Sequence, residues 1–129
     1  RYAELYVKTL HKRIKDIAQN HGLEFGKMQI PSYSAEELAL TYAGKYIVIN
    51  HHFYLTTSSS QTDYYNNEIQ PKYAKAQSMQ NVAVLNILDG AGWIGRASDF
   101  KKIFADCNYF LNLKTIDKLN DIISEFFNI

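Results

Sequence analysis

The chain is short of cysteine and proline and carries almost no excess of either charge. Each shortage excludes something. A single thiol, Cys107, cannot build an internal disulfide framework and fits a reducing compartment, so the cytoplasm is the expected location. No apolar run approaches the roughly 18 to 20 residues that cross a bilayer, so no membrane partner is expected. Basic and acidic residues number 14 and 13, leaving a net charge of +1. A strongly basic DNA-binding domain would usually exceed a pI of about 9, and with a pI near 8.0 DNA binding is neither announced nor excluded. The densest basic run, HKRIK at residues 11–15, reads first as the solvated side of a helix. The chain opens at Arg1, with no methionine and no apolar leader, and reads as a C-terminal piece of a longer protein.

What is present suits a packed core. Of 129 residues, 47% are hydrophobic, enough for one domain spanning 1–129 and far from the composition of a disordered chain. Ala3, Tyr6, Leu10, Ile14 and Ile17 recur at helical spacing over residues 2–20, and Gly22 stands where a C-cap belongs. Leu23 to Gln29 is ambiguous; Pro31, Ser32 and Ser34 mark a turn. ELALTYAGKYIVIN, residues 37–50, predicts a β-hairpin turning at Ala43-Gly44-Lys45. After the loop LTTSSSQ comes a helical pattern with Tyr73, Ala76 and Met79, which Pro71 either starts late or kinks. VAVLNILDG, residues 82–90, is an almost unbroken apolar run of the kind found in parallel strands covered on both faces. Ser98 can cap a helix through Phe100, Ile103 and Phe104. YFLNL at 109–113 predicts another strand, and Thr115 can cap a last helix buried along Ile116, Leu119, Ile122, Ile123, Phe126 and Phe127. Strands alternating with helices of these lengths predict an α/β chain of three layers, α/β/α, with right-handed crossovers.

Single residues say less about chemistry. His51 and His52 are adjacent on a strand and point to opposite faces, so one packed and one solvent-facing imidazole is the simpler reading than a shared metal ion. Cys107 has no base beside it in sequence and reads as a small buried hydrophobe. DGAGWIG lacks the GKS or GKT of a phosphate-binding loop and reads as a tight strand-to-helix connection with Trp93 folding back on the sheet, a substrate or DNA contact being the alternative. Ser58, Ser59 and Ser60 precede a helix that starts near Thr62; they are either a plain flexible loop or a phosphate contact.

Two stretches taken together point further. INHHFYLTTSSSQTDYY resembles the active-site strand and following loop of type II restriction endonucleases of the PD-(D/E)XK superfamily, in the branch that includes GATC-cutting enzymes. There the strand reads approximately I-E-x-N-F-Y, followed by a Gly-Ser-Lys loop and a helix bearing an acid. NILDGAGW resembles that branch's strand ending in Asp-Gly-x-Gly-Trp, and YFLNLKTIDKL its closing strand and helix. The likeness covers most of residues 37–123. It implies a restriction-endonuclease-like domain with a mixed central sheet, Mg²⁺ as cofactor if the site is active and none otherwise, and double-stranded DNA as partner, met by a homodimer or with a second subunit.

Carried over position by position, the resemblance implies Glu37, Asn50 and His52 as the catalytic set, with Glu37 and Asn50 toward the metal. Glu4 and Asp63 are additional acids, and Ser58, Ser59 and Ser60 contact phosphate or DNA. The acids are thinned out. The family's glutamate falls on Asn50, which loses one unit of charge, and its lysine falls on His52, which is mainly neutral at pH 7. The resemblance therefore implies a DNA-binding domain with a weakened or lost metal-dependent phosphodiesterase site. An active endonuclease with a remodelled site, in which Glu37 is the main ligand, is the alternative, and a non-catalytic protein-assembly module is a third.

Overall fold

Seven consecutive residues from Val82 to Leu88 are buried, as the apolar run predicts, because the strand they form has neighbours on both sides and helices on both faces. The computed structural model describes residues 2–53, 65–90 and 105–129, except the side chains of residues 2, 3, 52, 53 and 65. In chain order the elements are helix α1 (Tyr2–Asn20) and strands β1 (Glu24–Ile30), β2 (Ser34–Tyr42) and β3 (Lys45–Phe53). A wide turn at Tyr65–Ile69 then runs into helix α2 (Gln70–Gln77), followed by β4 (Val82–Asp89) and β5 (Tyr109–Leu111). A 3₁₀ turn at Leu113–Lys118 leads into helix α3 (Leu119–Phe127). The loop LTTSSSQ, the Gly-x-Gly-Trp residues after Gly90 and the helix expected from Ser98 lie outside the described residues.

The five strands lie in the order β1-β2-β3-β4-β5. The first three are antiparallel neighbours, and β4 and β5 run parallel to β3 and to one another, so the sheet is mixed. Alternation along the strands sorts side chains into two layers. On one face Leu40, Ile47, Ile49, Ala83, Leu85, Ile87 and Leu111 meet the stripes of α1 and α3. On the other, Ala39, Val48, Val82 and Val84 meet Ala76 of α2, with Ile30 and Tyr33. The three-layer α/β/α arrangement follows from that division.

Differences from expectation are local. The ambiguous 23–29 stretch is the edge strand β1, which pairs with β2 from Glu24↔Thr41 to Met28↔Glu37. The hairpin loop has two residues, Ala43 and Gly44, because Lys45 already pairs with Tyr42. Both loop residues have positive φ, 52° and 81°, the signature of a type I′ turn, whose twist matches that of the strands. The cap is Asn112, not Thr115, and it caps the 3₁₀ turn that leads into the last helix: Asn112 Oδ1 accepts from Thr115 N at 2.9 Å, and Thr115 Oγ1 accepts from Asn112 N at 3.0 Å. This reciprocal pair ends the strand at Leu111, two residues earlier than the apolar pattern suggests.

These two local features carry predictions. Ala43 is held in the left-handed region, where a β-carbon costs roughly 1 kcal/mol. Ala43→Asn, giving the preferred Asn-Gly turn, is expected to raise the urea midpoint by an equivalent of about 0.5–1 kcal/mol. Asn112→Ala is expected to lower stability by about 1 kcal/mol in the same measurement, since it strips the cap from the 3₁₀ turn that leads into α3.

Candidate active site

Strands β2 and β3 separate as they leave the hairpin. Their ladder runs from Tyr42↔Lys45 to Ala39↔Val48, and beyond it β2 continues only against β1. The fork leaves a cleft of about 240 Å³ lined by Glu36, Glu37 and Leu38 from β2, and by Ile49, Asn50 and His51 from β3. Lys27, Glu68 and Lys72 complete the wall. Within it, the Lys72 ammonium lies 3.0 Å from Glu37 Oε1, 3.2 Å from Glu68 Oε1 and 3.4 Å from Asn50 Oδ1. Three oxygens from three elements thus converge on one cation.

Each member is placed by ordinary structure. Glu37 comes from the stretch of β2 that has left β3, and its side chain is 14% exposed. Glu68 and Lys72 are an i, i+4 pair at the start of the α2 segment. The turn bearing Lys72 is tied to the sheet side by the Tyr33 hydroxyl, which donates to the Lys72 carbonyl at 2.9 Å. Burial, and secondarily the nearby Glu37 carboxylate, raise the Tyr33 pKa above that of a free phenol, so the hydroxyl stays a donor. Asn50 is 4% exposed and Asn86, beside it in the β3–β4 register, is fully buried. Asn50 Nδ2 donates to Asn86 Oδ1 at 3.0 Å, and Asn86 Nδ2 donates to the Asp106 carbonyl at 3.3 Å.

Of the residues expected from sequence, Glu37 and Asn50 meet at this cleft, through Lys72. Glu4 is exposed in the first turn of α1, which packs against the opposite face of the sheet, and it does not line the cleft. His52 continues β3 opposite Leu88, but its side chain lies outside the described residues, as do Ser58, Ser59, Ser60 and Asp63. His51 lines the cleft's edge and pairs with His11 of α1, the two Nε2 atoms 3.2 Å apart. Burial holds the His11 pKa below its ordinary value. Asp89, from the Asp-Gly pair, accepts from the Tyr6 hydroxyl at 2.8 Å and from Leu113 N at 2.9 Å, fastening α1 and the last helical segment to the sheet. Of the HKRIK run, Lys12, Arg13 and Lys15 lie on the outer side of α1, where Lys12 meets Asp16 and Arg13 meets Asp117 at the surface, while His11 and Ile14 turn inward. The Cys107 thiol is pushed up to about 11, chiefly by burial and then by Asp106, and is an inert proton-bearing group at neutral pH.

Glu68, Lys72 and Asn86 were not singled out from the sequence. Signals for two of them were there. Lys72 falls on the same helical stripe as Ile69 and Ala76, both buried, so a cation sits where the pattern asks for an apolar side chain. Asn86 interrupts a strand that is otherwise apolar on both faces, and a polar group there must have a partner.

Among the described residues no group of three His, Cys, Asp or Glu side chains is gathered that could hold a metal ion. Around Lys72 the cleft offers two carboxylates and an amide oxygen. These are hard donors of the kind Mg²⁺ takes when substrate phosphate and water complete its shell, and they already surround a cation. The donor set fits Mg²⁺, the metal that the resemblance implies.

No described helix is long and apolar enough to cross a membrane. Neither the curated proteins nor the solved structures provide a match to this sequence. A family profile does: that described as the DpnII restriction endonuclease matches residues 3–123. The match takes in α1, the fork, the α2 segment, β4, β5 and most of α3, and its function is accordingly of the restriction-endonuclease kind, directed at DNA. This chain belongs to the DpnII restriction endonuclease family.

Proposed function

We propose that the cleft is a remodelled, Mg²⁺-dependent centre that hydrolyses phosphodiester bonds of double-stranded DNA. In this reading one acid and the lysine are supplied by the α2 segment instead of by β3. The observation that carries it is the convergence of Glu37, Glu68 and Asn50 on the Lys72 ammonium at the fork. Asn50 and His52 look like losses when β3 is read alone. Glu68 and Lys72 make up the number, setting two carboxylates against one primary ammonium in a cleft that Glu36 and Lys27 also line.

Glu37, Glu68 and Asn50 would hold the ion. When bound, it supplies Lewis-acid polarisation of the phosphate and a more acidic water. The protein's own part is electrostatic. Lys72 is a compact point charge with three donors, suited to a non-bridging phosphate oxygen or to orienting water. Its contacts with two carboxylates hold it at the fork, and Tyr33 holds the backbone that bears it. Glu68 is half exposed at 49%, so it faces the solvent side from which a phosphate backbone would approach. Two copies related by a twofold axis would suit cutting both strands of a symmetric site.

A second reading has its own support. The Lys72 ammonium already neutralises the carboxylates, and Asn50 brings no charge, which favours a site that binds DNA without cutting it. Incubating the full chain with mixed-sequence DNA and Mg²⁺ or Mn²⁺ separates the two. The remodelled site should give discrete fragments; intact DNA under every divalent ion would leave the binding-only reading.

Where cleavage occurs, Lys72→Met and Glu37→Gln are each expected to slow it about 100-fold or more, the scale on which charge-stabilising groups act. Circular dichroism should show both variants folded, and rates within threefold of the parent would remove Lys72 and Glu37 from the mechanism. DNA affinity, measured by gel shift, should fall steeply between about 50 and 200 mM salt, as phosphate contacts require. A salt-independent shift, or none at low salt, would favour a protein-assembly role.

A further inference from the structure

We infer that Asn86 is a positioning residue: it turns the amide of Asn50 so that its oxygen, not its nitrogen, faces the cation point of the cleft. The inference rests on the reading of Asn50 as a neutral oxygen donor in the proposed centre and goes beyond it by naming what makes an asparagine serviceable there.

An asparagine amide has nearly the same shape either way round, so its neighbours decide its orientation. Here the neighbours at both ends of a two-amide chain are of one kind only. At the cleft end stands Lys72, whose ammonium donates and cannot accept, 3.4 Å from Asn50 Oδ1. At the far end stands the backbone carbonyl of Asp106, which accepts and cannot donate, 3.3 Å from Asn86 Nδ2. Between them, Asn50 Nδ2 donates to Asn86 Oδ1 at 3.0 Å. Only one sense of the chain satisfies all three contacts. Turning either amide sets donor against donor or acceptor against acceptor at two places.

Burial makes the choice binding. Asn86 is 0% exposed and Asn50 4% exposed, so water has little room to repair a mismatch. The parallel register fixes the pair as well, because Asn50 and Asn86 are direct partners across β3 and β4. Asn86 also hydrogen-bonds Cys107, the residue after Asp106, which strengthens its hold on that segment. The relay therefore runs from the 106–107 backbone through β4 and β3 to the cleft. Its effect is to present a fixed, partly negative oxygen where a carboxylate oxygen would otherwise stand.

The test uses ¹⁵N-labelled full chain and two substitutions of Asn86. Asn86→Leu keeps the number and branching of the side-chain heavy atoms and removes both hydrogen-bonding groups. Asn86→Asp keeps an oxygen for Asn50 to donate to. The side-chain NH₂ signals of Asn50, assigned by their disappearance in Asn50→Asp, should exchange slowly with solvent in the parent and in Asn86→Asp. They should exchange about tenfold faster or more in Asn86→Leu, as for a buried group that has lost its partner. Mg²⁺ affinity by calorimetry should fall about 10- to 100-fold in Asn86→Leu, the usual cost of removing a partner that orients a metal ligand, and be recovered in Asn86→Asp. If Asn86→Leu does not fold, Asn86→Ala takes its place. Equal amide exchange in parent and apolar variant, or Asn86→Asp behaving as the apolar variant does, would overturn the assignment. Absence of Mg²⁺ binding in the parent would instead sink the nuclease reading, while the exchange arm still decides the orientation of Asn50.

Discussion

One ammonium group, that of Lys72, organises the site. It reaches the sheet from the helix layer and is met there by carboxylates from β2 and the α2 segment and by an amide from β3. Surface ion pairs contribute little to stability, but this one is only about a quarter exposed on the lysine side and less on Glu37. Removing any one partner would leave a partly buried charge or dipole without its complement. The arrangement also depends on strand divergence: had β2 and β3 stayed paired beyond Ala39↔Val48, Glu37 would have a strand where it now has a cleft.

Two faces of one sheet serve different ends. The α1 and α3 side carries most of the apolar packing, reinforced by Asp89, which gathers Tyr6 and the backbone at Leu113. The α2 side is smaller in apolar content and gives way, toward the fork, to the polar chain running from Lys72 through Asn50 to Asn86. A difference of one residue in β3 decides which side a group serves. Asn50 turns to the cleft and the α2 layer, while His51 turns to His11 of α1.

Much of the fold was legible because it rests on periodic burial. The α1 stripe through Tyr6, Leu10, Ile14 and Ile17 is buried as the spacing predicts, and so is the run of β4. β1 was not legible. It is an edge strand that contains Gly26 and whose side chains before Ile30 are exposed or half-exposed, so its sequence lacks the alternation of a half-buried strand. The cap at Asn112 was misplaced by three residues because Asn112 and Thr115 are both good capping residues and hold each other. The site was legible only in part. Glu37 and Asn50 could be reached along the hairpin, whereas Glu68 and Lys72 come to it from another element, through a contact that exists only once the helix layer lies on the sheet.

That contact has a thermodynamic corollary. The ammonium that fills the fork also fastens α2 to the strands, so occupancy of the carboxylates and seating of the helix are linked quantities. A solute that takes Glu37 alone from Lys72 removes that tie, whereas one held by Glu37 and Glu68 together replaces it with another between the strand and the α2 segment.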